Sequence, residues 1–154
     1  MANLVLNVVH KTNPAGGRAS FPIKSGVTLG VGALVMLKAG FLDHWDDTAD
    51  FYGLVVGGDF NSATGLLTGT SALEEATVDT SGVTLMHLSI GGTATAAKRG
   101  DLVYCADSNP ASMTLTDTTN APVGYMNRWR SATDVDVTLF TPGEHLAGMA
   151  AATW

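Results

Sequence analysis

The amino-acid sequence predicts a mainly β protein, a small β-barrel, β-tulip-like fold or sandwich with one or two short helices and an N-terminal strand arm. Three observations carry this expectation. Thr, Gly and Val abound, Gln is absent and Glu occurs only at Glu74, Glu75 and Glu144, so surface-helix formers are scarce while sheet and turn formers are plentiful. The apolar runs are short, and Gly, Asp, Asn or Pro punctuates them at close intervals. Several runs alternate apolar and polar residues, the period of a strand with one wet face.

The elements follow in order. Asn3 to Val9 alternates imperfectly and is cut off by the turn-rich segment Lys11 to Gly17. It reads equally as a strand on an arm or as a first strand of the domain's own sheet. Residues 1–20 are assigned to arm and turn, and residues 21–154 to one β-rich domain. From Phe21, short apolar runs recur at Val27–Leu29, Leu34–Leu37, Phe41–Leu42 and Phe51–Val56, before a loose Gly/Thr/Ser stretch from Gly57 to Thr70. Ser71-Ala72-Leu73-Glu74 has the form of a capping box and predicts a short helix. Val83 to Ile90 predicts a strand with Val83, Leu85, His87 and Ser89 on one face and Thr84, Met86, Leu88 and Ile90 on the other. Four more candidate strands lie at Leu102–Tyr104, Met113–Leu115, Val123–Met126 and Val135–Phe140, and Asp134-Val135-Asp136-Val137 alternates cleanly.

An internal echo runs through these elements. Gly32-Ala33-Leu34-Val35 is followed by an Asp/Thr-rich loop and Tyr52-Gly53-Leu54-Val55. Gly100-Asp101-Leu102-Val103 is followed by a second such loop and Val123-Gly124-Tyr125-Met126. The order suggests two similar halves, about 27–60 and 95–130, each with a second strand that opens on a Gly where a backbone passes close to a neighbour or bends at a barrel corner.

Composition bounds the function. Of 154 residues, 45% are hydrophobic and 14% charged, against roughly 25% charged in an average soluble domain. Mean hydropathy is +0.20. So few charges imply that neighbouring subunits cover part of the surface, or that Thr, Ser and Gly wet it. A net charge of -6 with scattered Lys and Arg argues against neutralising phosphates, so no nucleic-acid partner is expected. The lone Cys105 allows no intrachain disulfide and suits a reducing compartment. The N-terminus lacks the pattern of a signal peptide, and no apolar run approaches the ~20 residues that span a bilayer, so synthesis in a cytoplasm without a membrane partner is expected.

Catalytic patterns are weak. The acidic run Asp43-His44-Trp45-Asp46-Asp47-Thr48-Ala49-Asp50 is the best metal candidate, but it lacks the alternating Asp spacing, the bend Gly and the closing Glu of a calcium loop. It reads better as a solvated turn with Trp45 packed beside it. His10, His44, His87 and His145 show no paired ligand spacing. There is no Gly-x-Ser-x-Gly elbow, Cys105 looks like a small buried hydrophobe, and the Gly-rich stretches do not end in Gly-Lys-Ser/Thr. No enzyme, cofactor or metal site is therefore expected. Trp129, between Arg128 and Arg130, has the composition of an interface patch or of a barrel-end cover. The Ala/Gly/Met-rich tail from His145 to Trp154 is expected to pack on a subunit.

Ala33 to Leu37, then Leu42-Asp43-His44-Trp45-Asp46-Asp47-Thr48, then Tyr52 to Val56 with Asp59 shortly after, resembles the central motif of the lambda-type head decoration protein family. Val83 to Thr93 is similar to the strand that follows in that family, and the second echo resembles another group of small β-type phage head proteins. The first likeness covers roughly Gly32 to Thr93. It implies a structural virion protein, a homotrimer on the outer surface of an expanded tailed-phage capsid that bridges copies of the major capsid protein and stabilises the head. It further implies a capsid-binding arm, here Leu4, Val5, Leu6, Val8 and Val9, although this arm is apolar and compact where the family's is long and polar. Trp45, Asp46, Arg128, Trp129, Arg130 and Trp154 are the expected subunit or capsid interface. The alternative is a tail or surface β module that binds carbohydrate or another virion protein through exposed Trp45 and Trp129.

Overall fold

Strands this short hold only when paired and packed on a common core. The computed structural model of the chain describes residues 17–71, 73–116 and 120–151. Its strands are β1 (Arg18–Pro22), β2 (Thr28–Gly30), β3 (Leu34–Lys38), β4 (Phe41–His44), β5 (Phe51–Gly58), β6 (Leu66–Thr68), β7 (Glu75–Asp79), β8 (Thr84–Ser89), β9 (Leu102–Cys105), β10 (Met113–Thr114), β11 (Pro122–Trp129) and β12 (Asp134–Leu139). Helix α1 (Pro142–Ala151) follows. The protein is mainly β, as the composition predicts.

Ten of these strands form two five-stranded antiparallel sheets, ordered β1-β7-β5-β3-β4 and β8-β12-β11-β9-β10. The two orders are one topology used twice, with β1 equivalent to β8, β3 to β9, β4 to β10, β5 to β11 and β7 to β12. The registers agree residue by residue. Val35 faces Gly53 and Leu34 faces Leu54 in the first sheet; Val103 faces Gly124 and Leu102 faces Tyr125 in the second. Each of these pairings carries a register shift one step away, opposite Tyr52 and Val123 respectively. A further shift recurs between Val55 and Gly57 against β7 and between Met126 and Arg128 against β12.

Bulges bend the strands, and both sheets curl until their edges meet. Lys24 N–H donates to Leu42 O at 3.0 Å, and Gly91 N–H to Met113 O at 2.8 Å. The Gly of each echo is demanded by sterics: a Cβ at Gly53 would lie 2.3 Å from Asp79 O, and one at Gly124 would lie 2.3 Å from Thr138 O. Gly32 and Gly100 open the two echoes with φ of +90° and +93°. The units differ in their trimmings. β2 and β6 pair as an extra ribbon in the first, and β3 turns into β4 through Ala39-Gly40 alone, whereas residues 106–112 separate β9 from β10.

Inside the first unit, Ile23, Val35, Leu42, Val55, Ala76 and Val78 are all fully buried. Their counterparts Ile90, Val103, Met113, Met126, Val135 and Val137 are buried in the second. Side chains of this size contribute roughly 1.5–3 kcal/mol each when buried. The second cluster is continuous with Leu34, Met36, Trp45, Phe51 and Leu54, which project from the outside of the first unit. The outer face of unit one thus closes the open end of unit two.

Two sequence expectations differ from the structure. Ser71 to Glu74 starts no helix: Glu74 carboxylate oxygens accept from Thr70 N–H at 3.0 Å and Ser71 N–H at 3.2 Å, but the next residues enter β7 and pair with β1 and β5. The helix forms instead at Pro142, where Thr141 Oγ1 accepts from Glu144 N–H at 3.1 Å, the cap that a Thr-Pro-Gly-Glu start supplies. The strict alternation read in β8 also fails. His87 adopts φ +56° in a bulge, so Leu85 pairs with Val137 and Leu88 with Val135, and both lean on the core.

Candidate docking surfaces

The resemblance motif folds as β3, β4, the Trp-Asp loop and β5. Trp45 N–H donates to Leu34 O at 3.1 Å, which holds the loop against β3 and turns the indole inward. The side chain is 1% exposed, packs edge-on against Phe51 with ring centroids 5.5 Å apart, and donates Nε1–H to Cys105 O at 2.7 Å. Trp45 is therefore an internal rivet between the units, which corrects its expected place at an exposed interface or stacking platform. Leu34 N–H donates to Ser108 O at 2.8 Å beside it, and His44 Nδ1 lies 2.9 Å from Ser108 Oγ.

The acidic residues around Trp45 turn to separate partners. Lys24 Nζ donates to Asp43 at 2.7 Å across the seam between β1 and β4. Asp46 is exposed and accepts from Thr48 N–H at 2.9 Å and from the Thr48 hydroxyl, and the hydroxyl bond above all holds its carboxyl below the ordinary range. Among the described residues, no three His, Cys, Asp or Glu side chains gather as metal ligands would. Cys105 is fully buried, its thiol is pushed up to about 11 by desolvation, and Sγ lies 3.2 Å from Asn109 O. A thiol so held is a poor nucleophile.

The predicted patch on β11 is divided. Arg130 reaches back across the β11–β12 turn to grip Asp136 with two bonds, Nε at 2.7 Å and Nη2 at 2.8 Å, while His87 N–H donates to the same carboxylate at 3.0 Å. The guanidinium bonds chiefly hold Asp136 down to about 2. Arg130 is thus committed within the chain, whereas Arg128 is exposed on β11. Trp129 is 42% exposed, with its Nε1–H tied to Ala94 O at 3.2 Å, so its ring is held in place at the surface. The arm residues Leu4, Val5, Leu6, Val8 and Val9, and Trp154, lie outside the described residues.

The tail carries what the sequence reading missed. α1 lies against β5 of the chain's own first unit, and His145 is 1% exposed, stacked edge-on against Trp45 at 5.6 Å. Burial lowers its pKa, while Asp50 and Asp47 oppose the shift. The next residue, Leu146, is 53% exposed and lines an open groove with Leu37, Tyr52 and Pro142. Val31, Leu66, Leu73 and Met86 are also exposed, at 47% to 81%. Only their hydrophobicity in turns, at the start of a short ribbon strand and on a bulge could have flagged them. No protein-family model, no curated protein and no solved structure matches the chain.

Proposed function

We propose that the protein is a structural virion component, which binds the outer surface of a tailed-phage capsid as a homotrimer and stabilises the expanded head. The observation that carries this reading is the conflict between a rigid, twice-used β framework and the large apolar side chains it leaves in water. Val31, Leu66, Leu73, Met86, Trp129 and Leu146 remain exposed on a chain with only 14% charged residues. Val31 and Leu66 line one open groove with Ala33 and Pro110, apolar surface of the kind that favours docking, and bonds such as Arg130 to Asp136 keep the framework stiff so that little order is lost on binding. The family likeness rests on the sequence motif around Trp45, whose indole holds two units in register instead of meeting the shell. The arm Leu4 to Val9 would pair backbone with the edge of a major capsid protein sheet, a contact that needs few specific side chains. The protein acts without a cofactor and outside the DNA-filled interior.

The test is co-sedimentation with expanded heads assembled from the major capsid protein of the same virus, with unexpanded heads as control. Saturable pelleting with expanded heads and a higher thermal midpoint for the decorated heads are expected. Protein that stays in the supernatant at every ratio overturns the reading. Exposed Trp129 favours a second reading, a carbohydrate-binding surface module; a glycan signal lost in Trp129→Ala, with no affinity for heads, would select it.

A further inference from the structure

Inside the chain, one unit caps the next. The outer face of unit one, Leu34, Met36 and Leu54, is 0%, 0% and 9% exposed, and it shares one core cluster with Cys105 and Val123 at the open end of unit two. The repeated topology fixes the equivalent surfaces. The counterparts of the buried face are Leu102, Tyr104 and Tyr125 on the outside of unit two, all left partly exposed. The counterparts of Cys105 and Val123 are Leu37 and Tyr52 at the open end of unit one, where they line the groove beside Leu146. Each chain therefore presents both halves of the contact it already makes once.

We propose that the outer face of unit two docks onto the open end of unit one in a second copy of this chain, a head-to-tail contact that repeats the internal one. Charge agrees with the pairing: Arg99 lines the open groove beside Tyr125, and Asp50 lines the groove beside Tyr52 and Leu146. Opposite charges at the two rims steer the copies and fix their register. The intermolecular contact is the weaker of the two. The internal one is pinned by Trp45 Nε1–H to Cys105 O and Leu34 N–H to Ser108 O, and the two-residue turn Ala39-Gly40 has no counterpart of the loop that carries Ser108. Without those backbone bonds, side-chain burial and the rim charges drive assembly, which depends on concentration. Such a contact is heterologous and propagates into a closed ring or an open chain of copies. It does not depend on the capsid reading, because it needs only this chain.

Sedimentation velocity of the full chain over a concentration series tests it. Wild type is expected to assemble, whereas Tyr125→Asp and Leu146→Asp are each expected to remain monomeric at the same concentrations, with thermal unfolding checking that both fold. Mixed, the two variants are expected to give a one-to-one dimer and nothing larger, because each keeps one intact surface. Arg99→Asp should weaken assembly about tenfold, and adding Asp50→Arg in the same chain should restore it; both positions are exposed, so folding is spared. A wild type that stays monomeric throughout, variants that assemble like wild type, or a mixture that stays monomeric overturns the proposal.

Discussion

Trp45→Phe isolates the joint between the two units. The substitution keeps an aromatic ring against Phe51 and His145 but removes the donor to Cys105 O, a 2.7 Å bond in the interior. A buried carbonyl left without its partner costs about 1–3 kcal/mol. The indole exceeds a phenyl ring by roughly 40 Å³, and at about 24 cal/mol per Å³ of cavity that adds about 1 kcal/mol. The sum, about 2–4 kcal/mol, corresponds to a fall in Tm of about 4–16 °C for a chain of this length. Scanning calorimetry on wild type and variant reads the shift directly. Ala106→Ser, at the exposed position next to Cys105, serves as the nearby control. A Tm within 2 °C of wild type would refute the argument that the indole bond rivets the units.

Other expectations follow from the same geometry. Gly53→Ala and Gly124→Ala each drive a Cβ to 2.3 Å from a backbone oxygen, so both should lower stability by about 1–3 kcal/mol, and chemical denaturation should find the two losses alike because the sites are equivalent. The Asp136 carboxyl sits near 2 in the folded chain against an ordinary 3.8, so its contribution is complete above about pH 4 and is lost as pH falls towards 2. Asp136→Asn should be less stable at neutral pH and should show a flatter Tm profile between pH 4 and 2. Burial lowers the pKa of His145 below the ordinary 6.5, so the unfolded chain binds the proton first and stability falls as pH drops below that value. His145→Phe should remove that part of the pH dependence, read as the difference in Tm between pH 7.5 and pH 5.5.

The sequence exposed the repeated unit more clearly than the way its copies meet. Gly53 and Gly124 are visible because a strand Gly is rare without a steric reason, and the reason is the same in both: a neighbouring backbone oxygen where Cβ would stand. The apolar residues around them mark inward positions by alternation. Alternation fails in β8, because a bulge at His87 inserts one residue and nothing in Leu85-Met86-His87-Leu88 announces it. Local signals also misplaced the helix. Ser71-Ala72-Leu73-Glu74 has the right capping groups, but β7 gains two strand neighbours by staying extended, so long-range pairing outweighs the local preference. The sequence reading assigns no element to Thr141-Pro142-Gly143-Glu144, although Pro at the first helical position and Glu three residues after the cap are what a helix start uses.

Trp45 shows why a candidate site is harder to read than a fold. Flanked by Asp43, Asp46 and Asp47, it has the neighbours of a wet loop, and partners distant in sequence, Leu34 O and Cys105 O, hold the indole inwards. Arg130 is the mirror case. Beside an exposed Trp it has the look of a contact residue, but its partner Asp136 stands six positions on, across a hairpin whose closure the local sequence does not specify. Both side chains are spent inside the molecule, so the proposed head-to-tail contact falls to residues that carry no charge: Leu102, Tyr104 and Tyr125 on one unit, Leu37, Tyr52 and Leu146 at the other. A duplicated framework makes such residues interpretable, since what one copy of a surface buries within the chain indicates what the other copy is shaped to bury outside it.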